Sequence, residues 1–386
     1  MQPDLAGTRH VAPPKLLFLV TEDWYFCSHR LPVARAARDA GFAVAVATRV
    51  RAHGEAIQAE GFSLHPLGWR RRGGGILGHL RALGEIVRLY RNEQPDILYH
   101  VALKPVLFGG LAARLAFPAG KRPALVSAVM GLGASAAARW KRRVLGAALR
   151  FATSGGAVIV QNPDDRDALT RFGLNPARIV LIRGSGVDTA HFAVSPEPGE
   201  PTITVALVGR MLKSKGVVDA VAAIRSLRVG GAAVNLLLAG APDADSSDSL
   251  TERELTEMAR EPGIEWLGHV DDVREVWSRA HIAVLPSSYG EGVPKSLLEA
   301  ASCGRPIIAS DMPGCREVVV PRETGLLVPP HDVPALADAI ATLARDPGLR
   351  RRMGAAGGAR ACAEFADSVV ADATLAVCQA ELERRR

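Results

Sequence analysis

Short runs of uninterrupted apolar residues alternate with stretches of helical periodicity along almost the whole chain. The first run, Lys15 to Val20, is followed by a polar loop, Thr21 to Arg30, and an amphipathic stretch from Leu31 to Ala40 that Gly41 closes. A second apolar run then covers Phe42 to Ala47. The same reading predicts strands over 62–67, 97–101, 124–129, 157–160 and 178–182, with helices over 52–60, 76–92, 134–151 and 163–172. After a Pro- and Glu-rich segment, Val194 to Pro201, the alternation restarts. Strands are predicted over 202–209, 234–239, 264–267, 282–286 and 306–309. Helices are predicted over 216–227, 248–260, 270–280, 294–303 and 333–345, with a helical tail to 386. Fully apolar strands alternating with helices mean parallel sheets covered on both faces. The fold class expected is therefore α/β, with two doubly wound domains of similar size facing across a cleft. Residues 1–14 read as a loose tail, 15–195 as one domain and 196–365 as the other, with 366–386 a terminal helix that could return to the first domain.

Composition narrows what such a chain does. Of 386 residues, 48% are apolar and 23% charged, and no apolar run approaches the length of a membrane span. Five cysteines, Cys27, Cys303, Cys315, Cys362 and Cys378, are odd in number and scattered, which argues against a disulfide framework or zinc site and fits a reducing cytoplasm. The net charge of +7 is unevenly shared. Residues 1–190 carry 26 Lys and Arg against 13 Asp and Glu, whereas the remainder carries 21 against 27. A basic first half faces something anionic. Aromatic residues are few and not interleaved with the cations, which disfavours nucleic acid as that partner.

Two stretches carry candidate chemistry. In Ser287 to Gly304, SSYGEGVPKSLLEAASCG, a glycine-flanked loop bears Glu291, Pro294 suits the first turn of a helix, and Glu299 lies more than a turn inside it. Unpaired amides at such a helix start attract phosphate. The two carboxylates can each accept hydrogen bonds from vicinal hydroxyls, as a sugar nucleotide offers at both ends. In Val208 to Gly216, VGRMLKSKG, Arg210 and Lys215 sit on a loop between a strand end and a helix. One such cation is commonly just solvated; an Arg and a Lys beside a second anion site suit a diphosphate. Asp271-Asp272 and Asp164-Asp165 are adjacent pairs at helix starts, where capping explains them better than metal binding.

These residues resemble a known family. GRMLKSKG, GSGVDTAHF, YGEGVPKSLLEAASCGRPIIASDMPGCREVV and ETGLLVPP are similar to the family 4 retaining glycosyltransferases of the GT-B fold, which pairs two Rossmann-like domains. The resemblance implies that Arg210 and Lys215 bind the donor diphosphate and stabilise the leaving group. Glu291 would contact the donor sugar and Glu299 the nucleotide ribose, with Gly209, Val270, Gly292, Val293, Pro294, Lys295, Ser296 and Leu297 completing the donor site. Fixed cations and a helix N-terminus can neutralise a departing diphosphate without a metal or other cofactor. Retention by front-face attack would need no protein nucleophile. Many family members carry His where this chain has Met130, so that side chain's usual role does not transfer.

Tyr99 to Pro105, Val129 to Gly133 and Pro294-Lys295-Ser296 resemble a subgroup that builds bacterial surface polysaccharide on undecaprenyl-diphosphate-linked acceptors. The resemblance implies a UDP-sugar donor, commonly an N-acetylhexosamine, and a lipid-linked saccharide acceptor. His29, His100, Lys104, Met130 and Gly131 are then the acceptor-side candidates, the first three expected at strand ends facing the cleft. Ala138 to Arg150 reads as a basic amphipathic helix with Trp140 as an interfacial anchor, and Trp69 to Gly75 as a basic loop. Both suit an anionic membrane surface and a cytoplasmic, peripheral location on the inner leaflet. A soluble acceptor, a sugar-nucleotide 2-epimerase and a non-catalytic nucleotide-sugar binder are the competing readings.

Overall fold

The computed structural model describes residues 12–69, 75–132, 139–199 and 201–385. Arg70 to Arg72 of the basic loop, most of the expected tail, and Gly133 to Ala138 lie outside the described residues. The first half runs β1 (Lys15–Glu22), α1 (Asp23–His29), α2 (Leu31–Asp39), β2 (Ala43–Arg49), α3 (Gly54–Ala59), β3 (Ser63–Pro66), α4 (Gly75–Glu93), β4 (Ile97–Val101), α5 (Leu103–Ala116), β5 (Ala124–Ala128), α6 (Arg139–Thr153), β6 (Ala157–Val160), α7 (Pro163–Arg171) and β7 (Ile179–Leu181). The second runs β8 (Ile203–Val208), α8 (Val217–Val229), β9 (Val234–Ala239), α9 (Glu252–Met258), β10 (Ile264–Trp266), α10 (Arg274–Arg279), β11 (Ile282–Leu285), α11 (Lys295–Ser302), β12 (Ile307–Ser310), α12 (Cys315–Val318), β13 (Gly325–Val328), α13 (Val333–Arg345), α14 (Pro347–Glu364) and α15 (Asp367–Arg385). Among the described residues no helix is long and apolar enough to cross a membrane.

The strands form two parallel sheets, ordered β3-β2-β1-β4-β5-β6-β7 and β10-β9-β8-β11-β12-β13. Each sheet grows outward in one direction, then restarts beside its first strand and grows the other way. That reversal leaves a switch point between β1 and β4 in one sheet and between β8 and β11 in the other, where loops diverge at the strands' carboxyl ends. In the second sheet β8 is bonded to β11 through Ile282 opposite Val205 and Ala283 opposite Ala206.

The inner strands are largely apolar because both faces are covered: every residue of β4, β5, β6, β11 and β12 is buried, whereas the edge strands β3 and β10 are partly exposed. The six-stranded sheet carries a core on each side, one centred on Val205, Leu207, Leu236 and Ile340, the other on Ala206, Leu237, Trp277 and Phe365. The chain forms two compact units, one of residues 1–127, 152–156 and 375–386, the other of 128–151 and 157–374. In the first, Arg384 near the end of α15 donates to the Gly155 carbonyl at 3.2 Å.

Several local expectations change. The stretch 21–30 is not a polar loop: it holds the end of β1 and helix α1; and the predicted tail helix is two helices, α14 and α15, broken at Phe365-Ala366. α5, absent from the sequence reading, follows β4 directly. The helix expected over 248–260 shrinks to α9 because Thr251 and Glu254 form a capping box that starts it at Glu252. Residues 243–250 instead form a loop fastened to the one before α8, with Lys213 and Leu250 amides donating to Asp248 and Met211 carbonyls at 2.9 Å.

Candidate active site

The two motif loops leave the adjacent strands β8 and β11, so the switch point sets them side by side. After β8, Gly209 and Arg210 lead through buried Met211 into a single 3-10 turn, Lys213–Lys215, and then Gly216. Gly216 has φ +77° and caps α8; a side chain there would be strained and would strike the Pro286 carbonyl. Only glycine lets the β8 loop pass this close to the end of β11. On the β11 loop, the Ser288 amide donates to the Ser214 carbonyl at 2.9 Å, and the buried Ser287 hydroxyl lies 3.1 Å from both that carbonyl and Glu291 Oε1.

Both predicted cations are already paired. Lys215 Nζ lies 2.5 Å from Glu291 Oε2, joining the two loops through opposite charges that are largely shielded from solvent. Arg210 Nη1 lies 2.5 Å from Asp243 Oδ2 on the loop after β9. Asp243 is held in turn by the Ser249 hydroxyl, which accepts its amide at 2.8 Å. The charges of both cations are thus balanced by carboxylates of neighbouring loops.

Helix α11 begins at Lys295, one position later than the sequence reading placed it, with Pro294 as its extended N-cap. Leu297 and Val293 do not offer their amides to a ligand. The Leu297 N–H donates to Pro294 O at 3.1 Å, and the Val293 N–H donates to Gln161 Oε1 at 3.1 Å. Glu299 lies in the second turn, where burial pushes its carboxyl up to about 7, Asp367 adds to the rise and Lys295 opposes it. Val270 is half-buried in the loop after β10 and packs on the same core as Leu297.

Met130 and Gly131 belong to this unit too. Gly131 has φ +62°, and a Cβ on it would lie 3.3 Å from both Gly290 O and Gly292 N. The turn is fixed by Asp165, whose carboxylate accepts the Gly131 amide at 2.9 Å and the Leu132 amide at 3.0 Å. This corrects the capping assignment: Asn162 caps α7 by accepting the Asp165 amide at 2.8 Å, which leaves the Asp165 side chain for the loop. Asp272, by contrast, does accept the Arg274 amide at 3.0 Å at the start of α10.

His29, His100 and Lys104 sit in the other compact unit. His100 is the next-to-last residue of β4, and it is fully buried. Its Nε2 pairs with Tyr90 OH at 2.9 Å, and burial takes its pKa down to about 3, which makes it a neutral core histidine. His29 ends α1 with its ring stacked on Tyr25. Lys104, in the first turn of α5, lies over Trp69 and Phe108 at 5.3 and 5.9 Å, and burial lowers its pKa. Asp243, Ser287, Gln161 and Asp165 were not foreseen. The only sequence signal for the last two was polar residues directly after an apolar strand.

Comparison with known proteins identifies the family. Residues 202–346 match the family model for group 1 glycosyl transferases, and residues 15–162 the model for glycosyl transferase 4-like proteins. Over 269 residues the chain is 31% identical to the alpha-maltose-1-phosphate synthase of Mycolicibacterium smegmatis, covering 62% of this chain and 68% of that protein. The chain belongs to the family 4 glycosyltransferases. This glycosyltransferase is also 23% identical over 308 residues to the capsular polysaccharide biosynthesis glycosyltransferase CapM of Staphylococcus aureus, covering 76% and 79% of the two. It spans about half the length of several other curated relatives that it matches. Anabaena HepE in complex with UDP and glucose superposes with a TM-score of 0.78 at 20% identity, over 95% of this chain and all of that one. As a family 4 glycosyltransferase, the chain has the GT-B fold of two parallel-sheet α/β domains.

Proposed function

We propose that this glycosyltransferase moves an N-acetylhexosamine from a UDP-sugar to a lipid-diphosphate-linked saccharide in bacterial surface polysaccharide synthesis, with retention at the anomeric carbon. The observation that carries the reading is the Lys215–Glu291 pair joining the β8 and β11 loops, with Arg210 on the first loop and the start of α11 on the second. These groups bind a diphosphate and a sugar at one strand-end site. UDP and glucose in the Anabaena complex, and the capsule role in the name of the Staphylococcus aureus relative, support the donor and product classes.

In the proposed reaction the acceptor hydroxyl oxygen attacks the sugar's anomeric carbon as the bond to the donor phosphate breaks. The hydroxyl proton passes to the departing phosphate oxygen, on the same face. Arg210, Lys215 and the amide end of α11 hold the negative charge that collects on the nucleoside diphosphate. Glu291, released from Lys215 by the phosphate, holds the sugar hydroxyls, and Glu299 the ribose. Residues 15–195 form the acceptor domain, with Lys104 and His29 as its candidates toward a phosphate, and 196–365 the donor domain. The protein works on the cytoplasmic face of the plasma membrane.

The test is transfer from UDP-N-acetylglucosamine and UDP-N-acetylgalactosamine to lipid-diphosphate-linked sugars, read by chromatography and by the NMR anomeric coupling of the product. Arg210→Ala, Lys215→Ala and Glu291→Ala should each lower kcat by about 10²- to 10³-fold, and EDTA should leave it unchanged. Transfer only to a soluble sugar would replace the acceptor; the α-maltose-1-phosphate synthase relative makes that the second reading. Epimer formed from nucleotide sugar alone, without acceptor, would overturn the transferase reading.

A further inference from the structure

The segment Gln161 to Asp165 grips two loops of the candidate site at once. Gln161 and Asp165 are buried, at 4% and 3% exposure, yet each spends its side chain on backbone amides of another loop. Gln161 Oε1 takes the Val293 amide at 3.1 Å, two residues beyond Glu291. Asp165 takes the Gly131 and Leu132 amides, and its Oδ2 also accepts from Asn162 Nδ2 at 3.1 Å.

The peptide linking Gly292 to Val293 is fixed at both ends. Its N–H points to Gln161, and its carbonyl lies so close to Gly314 that any side chain there would strike it. Gly292 itself backs onto Gln161, where a Cβ would strike Oε1. Gly131 lies nearby, where a Cβ would stand 3.3 Å from both Gly290 O and Gly292 N. A peptide locked at both faces fixes the direction of the residue before it, which is Glu291. The loop bearing Glu291 and the loop bearing Met130 therefore move as one body, with Gln161 and Asp165 as its internal ties.

We infer that Gln161 and Asp165 are positioning residues for sugar transfer, holding Glu291 and the Met130–Gly131 loop in register; this rests on the transferase reading above. The buried amide acceptor is chemically needed there because the Val293 N–H, turned from solvent, has no other acceptor among the described residues. Misplacing a sugar-contacting carboxylate by an ångström or so costs rate much more than it costs binding of the nucleotide, which other groups hold.

The experiment uses the full chain and three variants: Gln161→Met, which keeps the shape and removes the acceptor; Gln161→Glu, which keeps an acceptor oxygen; and Asp165→Asn. Hydrogen exchange of the peptides spanning 129–132 and 286–298 is followed alongside UDP affinity, thermal melting and transfer kinetics. In Gln161→Met the expected result is faster exchange around Val293, kcat lower by about tenfold or more, and UDP affinity within about twofold of wild type, with Gln161→Glu recovering much of the loss. Asp165→Asn should speed exchange at 129–132. If wild type shows no transfer, the function proposed above fails, and exchange alone then decides this inference. Unchanged exchange in both loops overturns it. So does a loss of rate that merely follows the fall in melting temperature, or one that Gln161→Glu fails to reduce.

Discussion

Glu299 shows what one side chain does when function and stability disagree. Its carboxyl stands at about 7 against an ordinary 4.5, because burial disfavours the ion by more than Lys295 favours it, and Asp367 adds a smaller repulsion. Among the described residues it accepts no hydrogen bond that would offset this. The sign follows directly. Below pH 4.5 the group is neutral folded or unfolded and costs nothing; between 4.5 and 7 the unfolded chain ionises while the fold keeps its proton, so stability falls with rising pH and then levels off. Glu299→Gln should therefore gain about 1–3 kcal/mol over wild type at pH 8 and little at pH 5, read from denaturant unfolding. The same variant should bind UDP roughly tenfold more weakly at pH 8 by calorimetry, having exchanged one of the two oxygens proposed to accept from the ribose for an amide donor and lost the negative charge. A stability gain without an affinity loss would remove the ribose role. Residue roles were unevenly legible in sequence. Glu291 and Lys215 stood out in sequence on glycine-rich loops, but their pairing with each other did not, because nothing local tells that the two loops meet. His100 misled because a histidine within an apolar strand reads the same whether its ring meets solvent or Tyr90. Asp165 misled because an Asp near a helix start is usually a cap, and here Asn162 had taken that task.

At the scale of elements, the site depends on how closely two loops can pass. Gly216 is the point of passage, with φ +77° and no room for a Cβ against Pro286. Gly216→Ala should cost about 2 kcal/mol or more, since backbone strain and a backbone clash add, and neither can relax through a side chain. It should also weaken UDP binding, because relief comes by moving the Lys215 loop away from Glu291. Thermal melting and nucleotide titration check both effects; a variant that melts as wild type does would mean the turn is not tight. This glycine was visible in sequence as a helix start, but its closeness to β11 was not, since nothing local tells which strands become neighbours. α5 was missed for a different reason. Its sequence, LKPVLFGGLAARLA, is apolar on nearly all sides and has no polar stripe, so helical periodicity cannot show itself. The restart of the alternation after 201 was plain, and with it the two-sheet architecture, because parallel strands buried on both faces leave long apolar runs whatever their order.

For the whole molecule the question is what the excess positive charge of residues 1–190 meets. Helix α6 was read as an amphipathic helix for a lipid surface, and the structure divides that reading. Its inner side, Gly146 and Leu149, is already buried in the protein, whereas Lys141, Arg142 and Arg143 are exposed. The helix offers a membrane charge and, among its described side chains, two exposed large apolar ones seven residues apart, Val144 at 61% and Phe151 at 53%; the Trp140 side chain lies outside the described residues. Attachment through its cations, as proposed, would be worth roughly 1 kcal/mol per cation near an anionic leaflet and screened over about 10 Å at 0.1 M salt. The protein should sediment with vesicles containing phosphatidylserine or phosphatidylglycerol at 50 mM salt, release above about 0.5 M, and ignore neutral vesicles. Lys141→Glu, Arg142→Glu and Arg143→Glu together should abolish binding while leaving UDP affinity within about twofold, since none of the three lies in the donor loops. Binding that survives high salt would point instead to inserted apolar side chains, for which Ile76 and Leu77 at the start of α4, 80% and 82% exposed, are the first to replace with serine.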